Sequence, residues 1–161
     1  MASSKFTALL SLTLACMSAQ TSFGQAATVD HYSQQELIAR ARKKGGVSPL
    51  FTEIPAKYPN HYTMLISRHA DGQSEVHMKY ADVLVILKGA GEIVTGGSMV
   101  GEKPTAEGEE RGSGISGGSS SPLRRGDIVH IPAGTPHQIK LRAGGNITYF
   151  VIKVDESAGS H

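Results

Sequence analysis

Gly126-Asp-Ile-Val-His-Ile-Pro132-Ala-Gly134-Thr-Pro-His137 (GDIVHIPAGTPH) reads as the end of one strand, a tight turn and the start of another. Pro132 brings no N–H to a ladder, Gly134 accepts the backbone of a tight turn, and His137 opens the following strand. A second stretch, Glu75 to Gly91 (EVHMKYADVLVILKGAG), lies upstream. Successive strand side chains alternate faces, so Glu75 and His77 share one wall. Asp82 is an odd number of residues from His77 and rejoins that wall only if a turn or bulge near Lys79 to Ala81 resets the alternation. With that reset, two carboxylates and two imidazoles, from Glu75, His77, Asp82 and His137, can converge inside a small barrel. Mixed nitrogen and oxygen donors suit divalent Fe, Mn, Zn, Ni or Cu, and a Zn–N bond of about 2.0–2.1 Å sets how closely they must meet.

The spacing Gly126-x5-Pro132-x-Gly134-x2-His137 resembles the second signature of the cupin superfamily, and Glu75-x-His77-x4-Asp82-x6-Gly89 resembles the first. Three identities depart from the usual pattern: Glu75 stands for a His, Asp82 for a Glu, and Leu141 for an Asn. The resemblance covers Tyr62 to Val154. It implies an all-β fold, a cupin jelly-roll β-barrel, often a homodimer, with a divalent metal at its centre. It also implies Glu75, His77, Asp82 and His137 as the metal ligands, with Glu75 and Asp82 able to move a proton in catalysis. Asp82, one methylene shorter than Glu, is either a ligand or a group that orients an imidazole. Glu75 is a ligand, a general base or a solvated strand end, and the bland reading of His77 is a strand histidine hydrogen-bonded in the interior. Cupins include oxygenases, isomerases, lyases and binding modules, so the fold names no reaction. The expected partner is a small oxygenated molecule, a sugar, organic acid or phenol; the alternative is a non-catalytic binding or sensing module.

The 161 residues fit one domain with a single core. Residues 1–24 read as a signal peptide, with Lys5 ahead of an apolar run from Thr7 to Met17 and small residues Ser22 and Gly24 before the cut. A periplasmic or secreted protein is therefore expected, and an apolar run of that length is too short to span a bilayer. The lone Cys16 falls in that segment, so the processed chain has no disulfide and no thiolate site. The alternative is a lipoprotein cut at Cys16. Losing Lys5 takes the formal charge from +2 to +1. No basic stripe points to nucleic acid and no second apolar segment to a membrane. G-x-S-x-G and G-x-x-x-x-G-K-[ST] are both missing, which removes the nucleophile-elbow and phosphate-loop readings.

Residues 25–60 read as one short helix, about Gln34 to Lys44, and an extended segment. Ser33 with Glu36 forms a capping box, Leu37, Ile38 and Ala41 make one apolar side, and Gly45-Gly46 ends the helix. Residues 61–155 read as the barrel, with strands at Tyr62 to Arg68, Gln73 to Lys79, Asp82 to Lys88, Glu92 to Thr95, Leu123 to Ile131, Gln138 to Leu141 and Asn146 to Val154. Gly89-Ala90-Gly91 is expected to turn between two of them. Residues 96–121, rich in Gly and Ser and without period, read as a flexible loop or a lid over the mouth.

Overall fold

The computed structural model describes residues 29–159. The expected signal peptide, its cleavage positions and Cys16 lie outside the described residues. Helix α1 spans Gln34–Gly45. Twelve strands follow: β1 Leu50–Glu53, β2 His61–Arg68, β3 Ser74–His77, β4 Tyr80–Thr95, β5 Ser98–Val100, β6 Lys103–Ala106, β7 Glu109–Gly112, β8 Gly114–Ser116, β9 Ser119–Arg124, β10 Ile128–Ile131, β11 His137–Lys140 and β12 Ile147–Asp155.

Two curled walls share the long strand β4. The first half of β4 pairs with β12 and β10, and the order across that wall is β1-β2-β12-β4-β10. The second half pairs with β9 and β11, giving β9-β4-β11-β3-β7-β6. The described strands so arranged form the expected jelly-roll barrel. Its core is a cluster including Ile66, Leu84, Ile86, Ile93, Ile139 and Tyr149. On β4, Leu84 and Ile86 enter that core while Val85 and Leu87 point outward, where Leu37 and Ala41 of α1 cover them. An apolar run on both faces of one strand is thus explained by a helix packed on the barrel exterior. The Ser33 hydroxyl caps α1 by accepting the Glu36 N–H at 3.1 Å, but the Glu36 carboxylate pairs with Arg40 at 2.7 Å instead of closing the box.

Three expectations are corrected. Gly89-Ala90-Gly91 does not turn between strands: β4 runs through it without a break, and this is where the strand passes from one wall to the other. Gly89 takes a φ of 81° there, and a Cβ on it would run into the Asn146 carbonyl oxygen. Residues 96–121 are not an irregular loop; they form β5 to β8 and the start of β9. Leu123 to Ile131 is two strands, split at Gly126 (φ 93°), where Asp127 accepts the Arg124 N–H at 2.7 Å.

The Gly89 contact makes a testable contrast with Gly96, which also has positive φ (70°) but open space around it. Gly96→Ala should cost about 1 kcal/mol, the conformational penalty alone. Gly89→Ala adds a backbone collision and should cost about 3 kcal/mol or more. Urea denaturation of the two variants measures the difference, and equal losses would remove the close approach at the sheet corner.

Candidate metal centre

Cross-strand register assembles the site. On one wall Arg111 (β7), Glu75 (β3) and His137 (β11) lie in a row of directly opposed residues, and His77 faces Glu109 one step along. On the other wall Tyr62 (β2), Lys153 (β12) and Asp82 (β4) form a second row. Met78 and Lys79 separate β3 from β4, so the alternation is reset and Asp82 does rejoin His77. All four sequence-expected residues line one cavity of about 400 Å³ between the walls. His77, Asp82 and His137 are at most 5% exposed.

Glu75, His77 and His137 each present one donor atom, and these atoms all lie within 4.8 Å of one another. Asp82 Oδ2 stands 3.5 Å from His77 Nε2 and 3.7 Å from His137 Nε2. Glu75 Oε1 is 3.4 Å from His137 Nε2. Each residue is held by its other polar atom. His77 Nδ1 donates to Glu109 Oε2 at 2.5 Å, and His137 Nδ1 donates to the Thr135 carbonyl at 3.0 Å. Glu75 Oε2 accepts from Arg111, and Asp82 Oδ1 accepts from Lys153 at 2.5 Å. With each Nδ1 carrying the ring proton, each Nε2 faces the centre as a bare lone pair.

Burial pushes the His77 imidazole below its usual pKa, and the Lys153 charge adds to this against the opposing pull of Asp82 and Glu109. Burial likewise lowers His137. Burial also lowers Lys153, with Asp82 opposing. The Tyr62 phenol is pushed up to about 12, first by burial and then by Glu109 and Asp82, and so remains a hydrogen-bond donor on the cavity wall. A buried cluster of one carboxylate and two neutral imidazoles of this kind could hold a divalent metal.

The two histidine shifts have a consequence for stability. Because the folded pKa lies below the unfolded value near 6.5, this stabilisation is complete above that value and is lost as pH falls toward the folded pKa. With metal stripped by a chelator, the thermal midpoint should fall between pH 7.5 and 5.5, and fall less in a His77→Gln/His137→Gln double variant. Circular dichroism melts decide it; identical slopes in the two proteins would mean the imidazoles are not held neutral.

Glu109, Arg111 and Lys153 had no place in the sequence reading. The signal for Lys153 was a single charge in an otherwise apolar strand, on the same face as Tyr149 and Val151, which requires a buried partner. The signal for the other two was the alternation in Glu109-Glu110-Arg111 between Gly108 and Gly112. Leu141, standing where Asn is usual, packs against the core and is not part of the cavity wall. His69 and His130 are exposed and do not line the cavity.

No family model and no curated protein matches the chain. Solved structures do. An uncharacterized conserved protein with a double-stranded beta-helix domain from Klebsiella pneumoniae aligns with a TM-score of 0.56 at 14% identity, over 82% of this chain and 95% of that one. The cupin domain of Cnp3 from Schizosaccharomyces pombe gives 0.52 at 10% identity, over 69% and 68%. The DMSP lyase DddQ from Ruegeria pomeroyi gives 0.50 at 13% identity, over 70% of this chain and half the length of the lyase. At such identities the likeness is one of fold, and the fold is that of the cupins.

Proposed function

We propose that this cupin-fold chain binds a divalent cation through Glu75 Oε1, His77 Nε2, Asp82 Oδ2 and His137 Nε2, and binds or transforms a small oxygenated molecule beside it. One observation carries the reading. With each ring proton on Nδ1, the acceptor atoms that face one another across the cavity lie 3.4, 3.5 and 3.7 Å apart, and Glu75, His77 and His137 form the tightest group. Lone pairs crowded in this way repel, and a cation among them turns the repulsion into ligation. The outer partners fit the same purpose: Glu109, the Thr135 carbonyl, Arg111 and Lys153 each fix the orientation of one donor.

A metal there would supply Lewis acidity to an oxygen of the bound molecule. The chain itself supplies Tyr62 as a donor and two carboxylates, Glu75 and Asp82, able to accept a proton. The second reading is a non-catalytic binding module. It is favoured by the two ion pairs, because Arg111 and Lys153 already balance Glu75 and Asp82. Export to the periplasm or the exterior belongs to the proposal on the strength of residues 1–24 alone, and a homodimer on the strength of the resemblance. Elemental analysis of the purified chain, followed by turnover and binding screens with sugars, organic acids and phenols, tests both readings. A protein that retains no divalent metal after loading and dialysis ends the first.

A further inference from the structure

Arg68 sits on β2 in the inward-facing series Tyr62, Met64, Ile66, Arg68, and all four line the central cavity. Its Nε donates to the Tyr149 hydroxyl at 2.8 Å, which anchors the guanidinium against the wall. Gly72 leaves room for it: a Cβ there would lie 3.1 Å from Arg68 Nη1. Arg111 and Lys153, the other cations of the cavity, each hold a carboxylate of the centre. Among the described residues Arg68 has no such partner, and its two Nη groups donate to no protein acceptor. Its charge is felt at Arg111, whose proton affinity is lowered first by burial and then by Arg68. Two guanidiniums in mutual repulsion beside an open volume form the surroundings of an anion.

The charge of the whole cavity points the same way. Glu75, Asp82 and Glu109 are set against Arg68, Arg111 and Lys153, and Asp71 at the rim, which accepts the Leu141 N–H at 2.7 Å, adds one negative charge. With neutral imidazoles the wall therefore carries a single negative charge. A divalent ion at the centre reverses it to a single positive charge, which one monoanion neutralises. We propose that Arg68 is the recognition group for the carboxylate of a small organic acid, held in the cavity with its remaining oxygens directed at the centre. The proposal rests on the metal-centre reading and narrows its ligand class. A sugar or a phenol offers the Arg68 fork no planar anion, whereas a carboxylate accepts two parallel N–H bonds from it.

Isothermal titration of the metal-loaded full chain with succinate, malate, glucose and catechol tests the assignment, with metal content measured on every sample. Succinate and malate should bind one per chain. Arg68→Gln should weaken both by about 10- to 100-fold, the usual cost of losing a charged hydrogen-bonding partner. Arg68→Lys keeps the charge but loses the fork, and should recover only part of that affinity; it also serves if the Gln variant does not fold. Metal content should stay at the parental level, because Arg68 touches none of the four residues of the centre. Acid affinity unchanged in both variants, or no acid binding at all, overturns the role of Arg68. Loss of metal from the parental chain is a separate result that overturns the centre, and it is read on the same samples.

Discussion

Divalent metal content is expected to fall from one ion per chain to none in His77→Ala, and again in His137→Ala, with the barrel still folded. Each substitution removes one Nε2 donor from the proposed set of four. The core that holds the walls apart, with Leu84, Ile86, Ile139 and Tyr149, is untouched. The matching change behind the ring is Glu109→Gln, which keeps the side-chain shape but weakens the hydrogen bond to His77 Nδ1. Losing such an outer partner lowers metal affinity by about 10- to 100-fold without abolishing it. Elemental analysis after dialysis against a weak chelator separates the three variants. Full occupancy in either alanine variant would remove the histidines from the centre.

The second large effect concerns stability. Lys153→Met is expected to cost about 3–5 kcal/mol, because it leaves the Asp82 carboxylate buried without its counter-charge. Both side chains are at most 7% exposed and meet at 2.5 Å on directly opposed positions of β12 and β4. Asp82→Asn combined with Lys153→Met removes both charges. The double variant should recover most of the loss, since a neutral pair of similar volume carries no desolvation debt. Chemical denaturation of the two single variants and the double variant closes the cycle. A double variant as unstable as the sum of the singles would show that the pair is not coupled.

How much of this was legible in the sequence follows from range. The turn at Pro132 to His137 and the pairing of Glu75 with His77 are local: fixed residue types at short spacing dictate them, and both stand in the structure as read. The helix was legible for the same reason, with Ser33, Gly46 and the apolar side close together in the chain, although Glu36 turns to Arg40 and leaves the capping box half made. Gly89 to Gly91 was misread because glycines serve turns and sheet corners alike; only the approach of Asn146 tells them apart. Residues 96–121 were misread because their strands are three to six residues long and largely exposed, which leaves no visible period. That misreading hid Glu109 and Arg111, whose role depends on β7 pairing with β3 across the fold. Lys153 was hidden by distance along the chain.

That distance also shapes how the protein is made. Asp82 and Lys153 are 71 residues apart, and β12 is the strand that joins β2 to β4 in one wall. A chain emerging from the ribosome therefore carries β2 and β4 with no strand between them until β12 has been synthesised. Pairings of such long sequence separation fold slowly, and exposed strand edges in the interval invite association with other chains. An Asp on β4 works against premature closure, since a nascent barrel that collapsed without Lys153 would have to swallow a bare carboxylate. Pairing with Lys153 becomes possible only once β12 completes the wall.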